Sequence, residues 1–386
     1  MLPFSAVQRT PIWLCASLLA ACGGGSGTAP SIAVEVTAPS AQAPVLELQT
    51  PLPVGATVEL DAMPAPDATL VHFSSSAGLL SPATASTHQG QASSSLLGTV
   101  PGQHTLRAEV EVAGVRATSS TQTFYLRQTP VPLEVLVPAY FYPSTGSDWT
   151  LLASSVAALP GLKVTAILNP SNGIFTNANS RYLAAGRDFV HAGGQLLGYV
   201  HTSYGSGERT LADIKTNIDR YLELYGRELI SGIFLDEMSN KGSTLEFYQQ
   251  LYRYIKAKDP SLRVVGNPGT IPASELAATA DALITFEGQA ANFAQYDPRK
   301  TGGWLYTLSN SKQGALIHTA STCTAMQAAL RTAATAQSNS GLVYVTHRPY
   351  DYASNTGNPW ASLPSYWASL LSSVHALNQG QPLPNC

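Results

Sequence analysis

Apolar and polar positions divide the chain into two regimes. From 31 to about 128, apolar residues alternate with polar ones over short runs bounded by turn residues, with almost no helical periodicity. Thr57-Val58-Glu59-Leu60-Asp61-Ala62 alternates, and so does Thr105-Leu106-Arg107-Ala108-Glu109-Val110-Glu111-Val112, which sets Leu106, Ala108, Val110 and Val112 on one face. Phe124 and Leu126 continue the pattern after the turn near Gly114. Strands of this kind predict an all-β sandwich over 31–128. Gln128-Thr129-Pro130-Val131-Pro132 follows as a linker that its prolines keep extended. From 133 the apolar runs become continuous: 133–140, 163–168, 195–201, 232–236, 263–266, 282–286, 315–318 and 341–346. Helical patterns occupy 148–158, 179–192, 211–225, 243–258 and 322–337, and a last helix lies near 363–377. Strands alternating with helices in this way predict an α/β fold, a closed (β/α)8 TIM-type barrel over 131–386. An open doubly wound sheet is the alternative; it lacks a GxGxxG after the first strand, and eight units fit closure better.

The Gly102-Gln103-His104-Thr105-Leu106 run resembles the penultimate strand of an immunoglobulin-like domain, with His104 where a tyrosine corner is usual. The sandwich carries no clustered aromatics, so a spacer role is expected of it.

The barrel pattern is organised around Ser231-Gly232-Ile233-Phe234-Leu235-Asp236-Glu237-Met238, an apolar strand that ends in two adjacent carboxylates. Burying such groups is costly unless they face a solvated or hydrogen-bonded site, and strand ends are where sites collect in parallel α/β folds. Alternation directs Asp236 toward the mouth and Glu237 away from it. Taken alone, the pair serves equally well as an N-cap for the helical pattern beginning near Ser243. The other strand ends carry Tyr140 and Tyr142, Asn169, Tyr199 with His201 and Tyr204, Asn267, Glu287, His318, and His347 with Arg348. Asn169 and Asn267 also suit turns before proline. Glu287, in Thr285-Phe286-Glu287-Gly288, repeats the Asp236 situation two strands later. Two carboxylates across a barrel mouth are the equipment of glycoside hydrolysis. Tyr140, Tyr142, Tyr204 and Trp304 are candidates for stacking on sugar faces, and Asn169, His201 and Asn267 for polar contacts to the substrate.

Charge and composition narrow the function. Of the 386 residues only 12% are charged and the net charge is -3, so no footprint for nucleic acid is present. The eight His are scattered, with no HExxH and no CxxC, so neither a metal nor a cofactor is expected. Arg9, the apolar stretch 12–19 and Leu19-Ala20-Ala21-Cys22 resemble a bacterial lipoprotein signal over 1–22 with Cys22 lipidated. Gly23-Gly24-Gly25-Ser26-Gly27 opens a tether over 23–30. The expected product is an exported, monomeric lipoprotein, held to the outer membrane or cell surface by its N-terminal lipid. A plain secretory signal is the alternative. Once Cys15 and Cys22 are set aside, Cys323 and Cys386 remain, and a disulfide and two separate thiols stand level.

Longer motifs sharpen this. Val137-Pro138-Ala139-Tyr140-Phe141-Tyr142-Pro143, Leu168-Asn169-Pro170-Ser171-Asn172-Gly173, Gly198-Tyr199-Val200-His201-Thr202-Ser203-Tyr204-Gly205 and Gly232-Ile233-Phe234-Leu235-Asp236-Glu237 resemble the spherulin-4-like family from about 133 to the C-terminus. The resemblance implies a (β/α)8 glycoside hydrolase related to endo-α-1,4-galactosaminidases, acting on galactosamine-containing exopolysaccharide. It implicates Asp236, Glu237 and Glu287. By analogy with α-galactosidase barrels, Asp236 is the nucleophile and Glu287 the acid/base. A non-catalytic, lectin-like envelope lipoprotein is the rival.

Overall fold

The computed structural model describes residues 29–39 and 43–386. The signal segment, Cys22 and the tether up to 28 lie outside the described residues.

The first regime folds as two sheets. One runs Ile32–Ala38, Pro51–Leu60, Gln91–Leu97, Leu79–Ser81; the other runs Val45–Glu47, Gln122–Arg127, Gly102–Val112, Leu70–Ser75, Thr84–Ser86. Alternation decides which faces meet: Leu106, Ala108 and Val110 are buried with Val54, Val58, Val71, Phe73, Leu96 and Phe124, whereas Arg107 points outward. His104 is buried as well, and its Nε2 is hydrogen-bonded to the Val100 carbonyl at 2.8 Å, a tie back along the chain.

The second regime closes into an eight-stranded parallel barrel. Its strands are Glu134–Ala139, Val164–Leu168, Gln195–His201, Ile230–Asp236, Arg263–Gly266, Ala282–Gln289, Gln313–His318 and Leu342–Val345. Strands covered on both faces must be apolar throughout, which is why they read as unbroken runs. The sixth strand differs from expectation. It continues through Glu287 to Gln289, with a register shift between Ile284 and Phe286, so Glu287 lies inside the strand instead of after it. A bulge adds a residue and re-aims the side chains that follow.

Charge is buried at the opposite end of the barrel. Glu134 accepts hydrogen bonds from Arg263 at 2.6 Å and Thr165 at 2.6 Å, and pairs with Lys163 at 2.8 Å. Burial raises its carboxyl, but the Arg263 and Lys163 charges outweigh that and hold it below the usual range.

The linker from the sandwich is held at this same N-terminal end. Asn310 satisfies both backbone groups of Val131, at 2.9 Å each, and Asn378 does the same for Leu133 at 2.7 and 2.9 Å. Tyr125 of the sandwich packs at a tilt against Tyr306, with centroids 4.9 Å apart, and donates to the Arg299 carbonyl at 3.2 Å. Cys323 and Cys386 form a disulfide that ties the C-terminus to the start of the helix Cys323–Ala334.

Candidate active site

At the C-terminal ends of the strands, non-glycine residues repeatedly leave the usual backbone regions. Ser171 and Asn172 follow the second strand with positive φ, Ser203 and Tyr204 the third, Glu237 the fourth and Thr319 the seventh. Such conformations persist only where surroundings over-determine them, and they cluster at functional sites. Backbone hydrogen bonds provide that here: Tyr204 N–H donates to the Glu237 carbonyl at 2.7 Å, Met238 N–H to Asn267 at 2.9 Å and Glu287 N–H to Gly269 at 2.8 Å.

Asp236, Glu237, Asn267, Glu287, Tyr204 and Tyr352, with 268–270, line one cleft of ≈ 290 Å³. Asn267 is at its centre and is 7% exposed. Its side-chain nitrogen donates to Asp236 Oδ1 at 2.8 Å and to Glu287 Oε2 at 2.6 Å. Its Oδ1 accepts the Gly269 N–H at 3.0 Å, which fixes the orientation of the amide. One neutral side chain therefore holds two acids together without supplying a charge. Tyr199, 4% exposed, also hydrogen-bonds Asp236, and Tyr140 packs edge-on against Tyr199 with centroids 5.3 Å apart. The Trp360 indole lies near enough to Glu287 to favour its ionised form.

These surroundings separate the two acids electrostatically. Burial, reinforced by the Asp236 charge, pushes the Glu287 carboxyl up to about 7, against the hydrogen bonds from Asn267 and Trp360. Burial raises Asp236 as well, opposed by hydrogen bonds from Tyr199 and Asn267. Because the Asp236 charge is among the causes that raise Glu287, Asp236 gives up its proton first and Glu287 keeps one into the neutral range. A protonated acid beside an ionised one is suited to general acid catalysis next to a nucleophile.

Several expectations need correction. Glu237 does not turn away from the mouth. The strand ends at Asp236, and at φ 49° the chain swings Glu237 into the cleft, where alternation no longer applies. His201 lies behind it, with Nδ1 3.5 Å from Glu237 Oε2. Tyr142 is 51% exposed but packs on Tyr182 and Arg181, beside the helix Ser180–His191, away from the cleft lining. Asn169 precedes the turn Pro170–Gly173 and likewise does not line the cleft. Trp304 lies in the Gly303–Thr307 turn, its ring packs against the barrel core, and it does not line this cleft. Its assignment rested on residue type, which does not distinguish a packing aromatic from a binding one. Trp360 and Tyr352 escaped notice because the segment after the eighth strand has neither strand nor helix periodicity; only its aromatic content could have marked it. Among the described residues, no group of three or more His, Cys, Asp or Glu is placed to hold a metal ion.

Comparison with known proteins agrees with this architecture. The sequence profile of Spherulation-specific family 4 matches residues 134–374. Spherulin-4 of Physarum polycephalum is 32% identical over 289 residues, covering 70% of this chain and 76% of the relative. The crystal structure of Aspergillus clavatus Sph3 in complex with GalNAc superposes with a TM-score of 0.53 at 24% identity, covering 64% of this chain and 98% of that one.

Proposed function

The chain belongs to Spherulation-specific family 4, and we propose that it is a glycoside hydrolase cleaving α-linked galactosamine- or N-acetylgalactosamine-containing exopolysaccharide through Asp236 and Glu287. The observation that carries this is the Asn267 amide shared by the two acids. Glu287, raised to about 7, protonates the leaving glycosidic oxygen. Asp236, ionised first, attacks the anomeric carbon, and Glu287 then takes a proton from the water that releases the sugar. The two oxygens bonded to one nitrogen at 2.8 and 2.6 Å can be no farther apart than those lengths laid end to end. That favours the about 5–5.5 Å separation of retaining enzymes over the about 6.5–9.5 Å of inverting ones. Glu237, 39% exposed in the same cleft, tunes the pair. Sph3 was solved with GalNAc bound, which supports an amino sugar as substrate. The sandwich is in this proposal an immunoglobulin-like spacer, and lipidated Cys22 anchors the chain to the outer membrane.

The test is reducing-end release from partly deacetylated galactosaminoglycan, measured beside binding to the same polymer. Asp236→Asn and Glu287→Gln should each lower the rate by about 10²–10⁴-fold with binding retained. Glu237→Gln should lower it by less, about tenfold. Binding by the wild type without any release of ends would hand the cleft to a lectin. For the anchor, metabolic labelling that finds no lipid on the wild type and none lost in Cys22→Ser would reject lipidation.

A further inference from the structure

The segment from 346 to 366, between the eighth strand and the last helix Trp367–Asn378, carries two aromatics to the site. Trp360 lies near enough to Glu287 to favour its ionised form, and Tyr352 forms a wall of the cleft. Tyr352 sits beyond the short strand Tyr350–Asp351, which pairs with Thr356–Gly357, and its side is 57% exposed. An exposed ring on a hairpin tip would ordinarily be free to swing. Here its hydroxyl is fastened to His318.

His318 ends the seventh strand and is 1% exposed. Its Nε2 is hydrogen-bonded to the Tyr352 hydroxyl at 3.0 Å and its Nδ1 to the Thr319 hydroxyl at 2.8 Å. Its ring stands edge-on to Trp360, with centroids 6.3 Å apart, and edge-on to Tyr350 at 6.3 Å. Tyr350 in turn meets Tyr352 edge-on at 4.9 Å. Burial lowers the imidazole to about 4, so it is neutral at ordinary pH, with one donor and one acceptor. Both partners are hydroxyls, which can donate or accept, so either tautomer satisfies both bonds. Thr319 takes up a left-handed backbone, φ 59°, that a β-branched residue rarely adopts, while its N–H donates to Arg348 at 3.0 Å. The strained residue and the buried imidazole together couple the end of the seventh strand to the segment after the eighth.

We propose that Tyr352 is a specificity-determining residue that stacks on the sugar ring bound beside Glu287, and that His318 is a positioning residue that holds the Tyr352 ring in place. The proposal rests on the glycosidase reading of the cleft. A galacto-configured ring suits such a wall, because its axial 4-hydroxyl leaves H3, H4 and H5 together on one apolar face. A tyrosine offers an apolar face to these hydrogens and a polar tip that the protein can grip. Removing a contact made equally in the ground and transition states raises KM and leaves kcat in place.

The experiment uses the full chain and partly deacetylated α-1,4-linked galactosaminoglycan oligomers. Tyr352→Ala should raise KM about tenfold with kcat within about twofold. Tyr352→Phe keeps the ring and loses the tie, so KM should rise about threefold, and His318→Leu should match it. His318→Gln, which keeps an amide near the Nε2 position, should recover most of the loss. Wild-type KM in Tyr352→Ala would overturn the stacking role. A lower melting temperature with unchanged KM in His318→Leu would overturn the positioning role and leave His318 a core residue. If the wild type releases no ends, the glycosidase reading fails by itself, and the same variants are titrated for oligomer binding. A tenfold weaker Kd for Tyr352→Ala would still uphold the contact, and an unchanged Kd would reject it.

Discussion

Asn267 donates to Glu287 Oε2 at 2.6 Å with an amide whose other hydrogen is committed to Asp236. Both hydrogen bonds stabilise the ionised forms, so both acids are held lower than burial alone would leave them. Asn267→Ala should therefore raise both carboxyls. In the proposed mechanism the acid limb of the pH–rate profile reports Asp236 ionisation and the alkaline limb reports Glu287 deprotonation. Both limbs should move to higher pH, with kcat lower by about 10²-fold. A profile of unchanged position would show that Asn267 does not couple the two acids.

Trp360 influences only one member of the pair. Trp360→Phe removes the indole donor that lowers Glu287 and leaves Asp236's partners in place. Only the alkaline limb, set by a group near 7, should shift upward. A pH series of kcat/KM distinguishes this from the Asn267 variant, and movement of the acid limb alone would contradict the assignment of roles.

Glu134 offers a stability test far from the cleft. Its carboxyl is depressed in the folded protein, so its contribution is present above the unfolded carboxylate pKa and is lost as pH falls through the lower folded value. Glu134→Gln should cost about 3 kcal/mol at pH 7, because Arg263 is left without its buried partner. The difference from wild type should shrink as acid protonates Glu134 itself. Denaturant unfolding across the acid range checks this; a difference that stays constant with pH would reject it.

The contacts between sandwich and barrel run through the linker to Asn310 and Asn378 and through Tyr125 to Arg299, and none of these residues lines the cleft of the carboxylates. A fragment of residues 131–386 should keep kcat on soluble oligomers within about twofold, with a lower melting temperature from newly exposed Tyr306 and its neighbours. Circular dichroism establishes whether the fragment folds. A folded fragment without turnover would mean that the sandwich contributes to the site.

The barrel was legible because each strand is buried on both faces, and unbroken apolar runs such as 195–201 survive as a signal. Asp236, Asn267 and Glu287 were legible because they end or follow such runs. What failed depended on features without periodicity. Alternation misdirected Glu237, since one positive φ after Asp236 reverses the side chain. The bulge before Phe286 concealed that Glu287 is still within a strand. Trp304 and Trp360 are the same residue type in equally irregular segments, and only tertiary packing sends one to the outer core of the barrel and the other to the neighbourhood of Glu287. The paired hydrogen bonds of Asn310 and Asn378 to the linker cross 179 and 245 residues of sequence, a distance over which no local pattern carries information.

Those two asparagines have a consequence for how the molecule stands. They grip the chain as it leaves the sandwich, and with Tyr125 they hold the sandwich against the barrel instead of leaving it a bead on a string. Contacts of this kind oppose hinging at the linker, so whatever holds the sandwich also sets the attitude of the barrel.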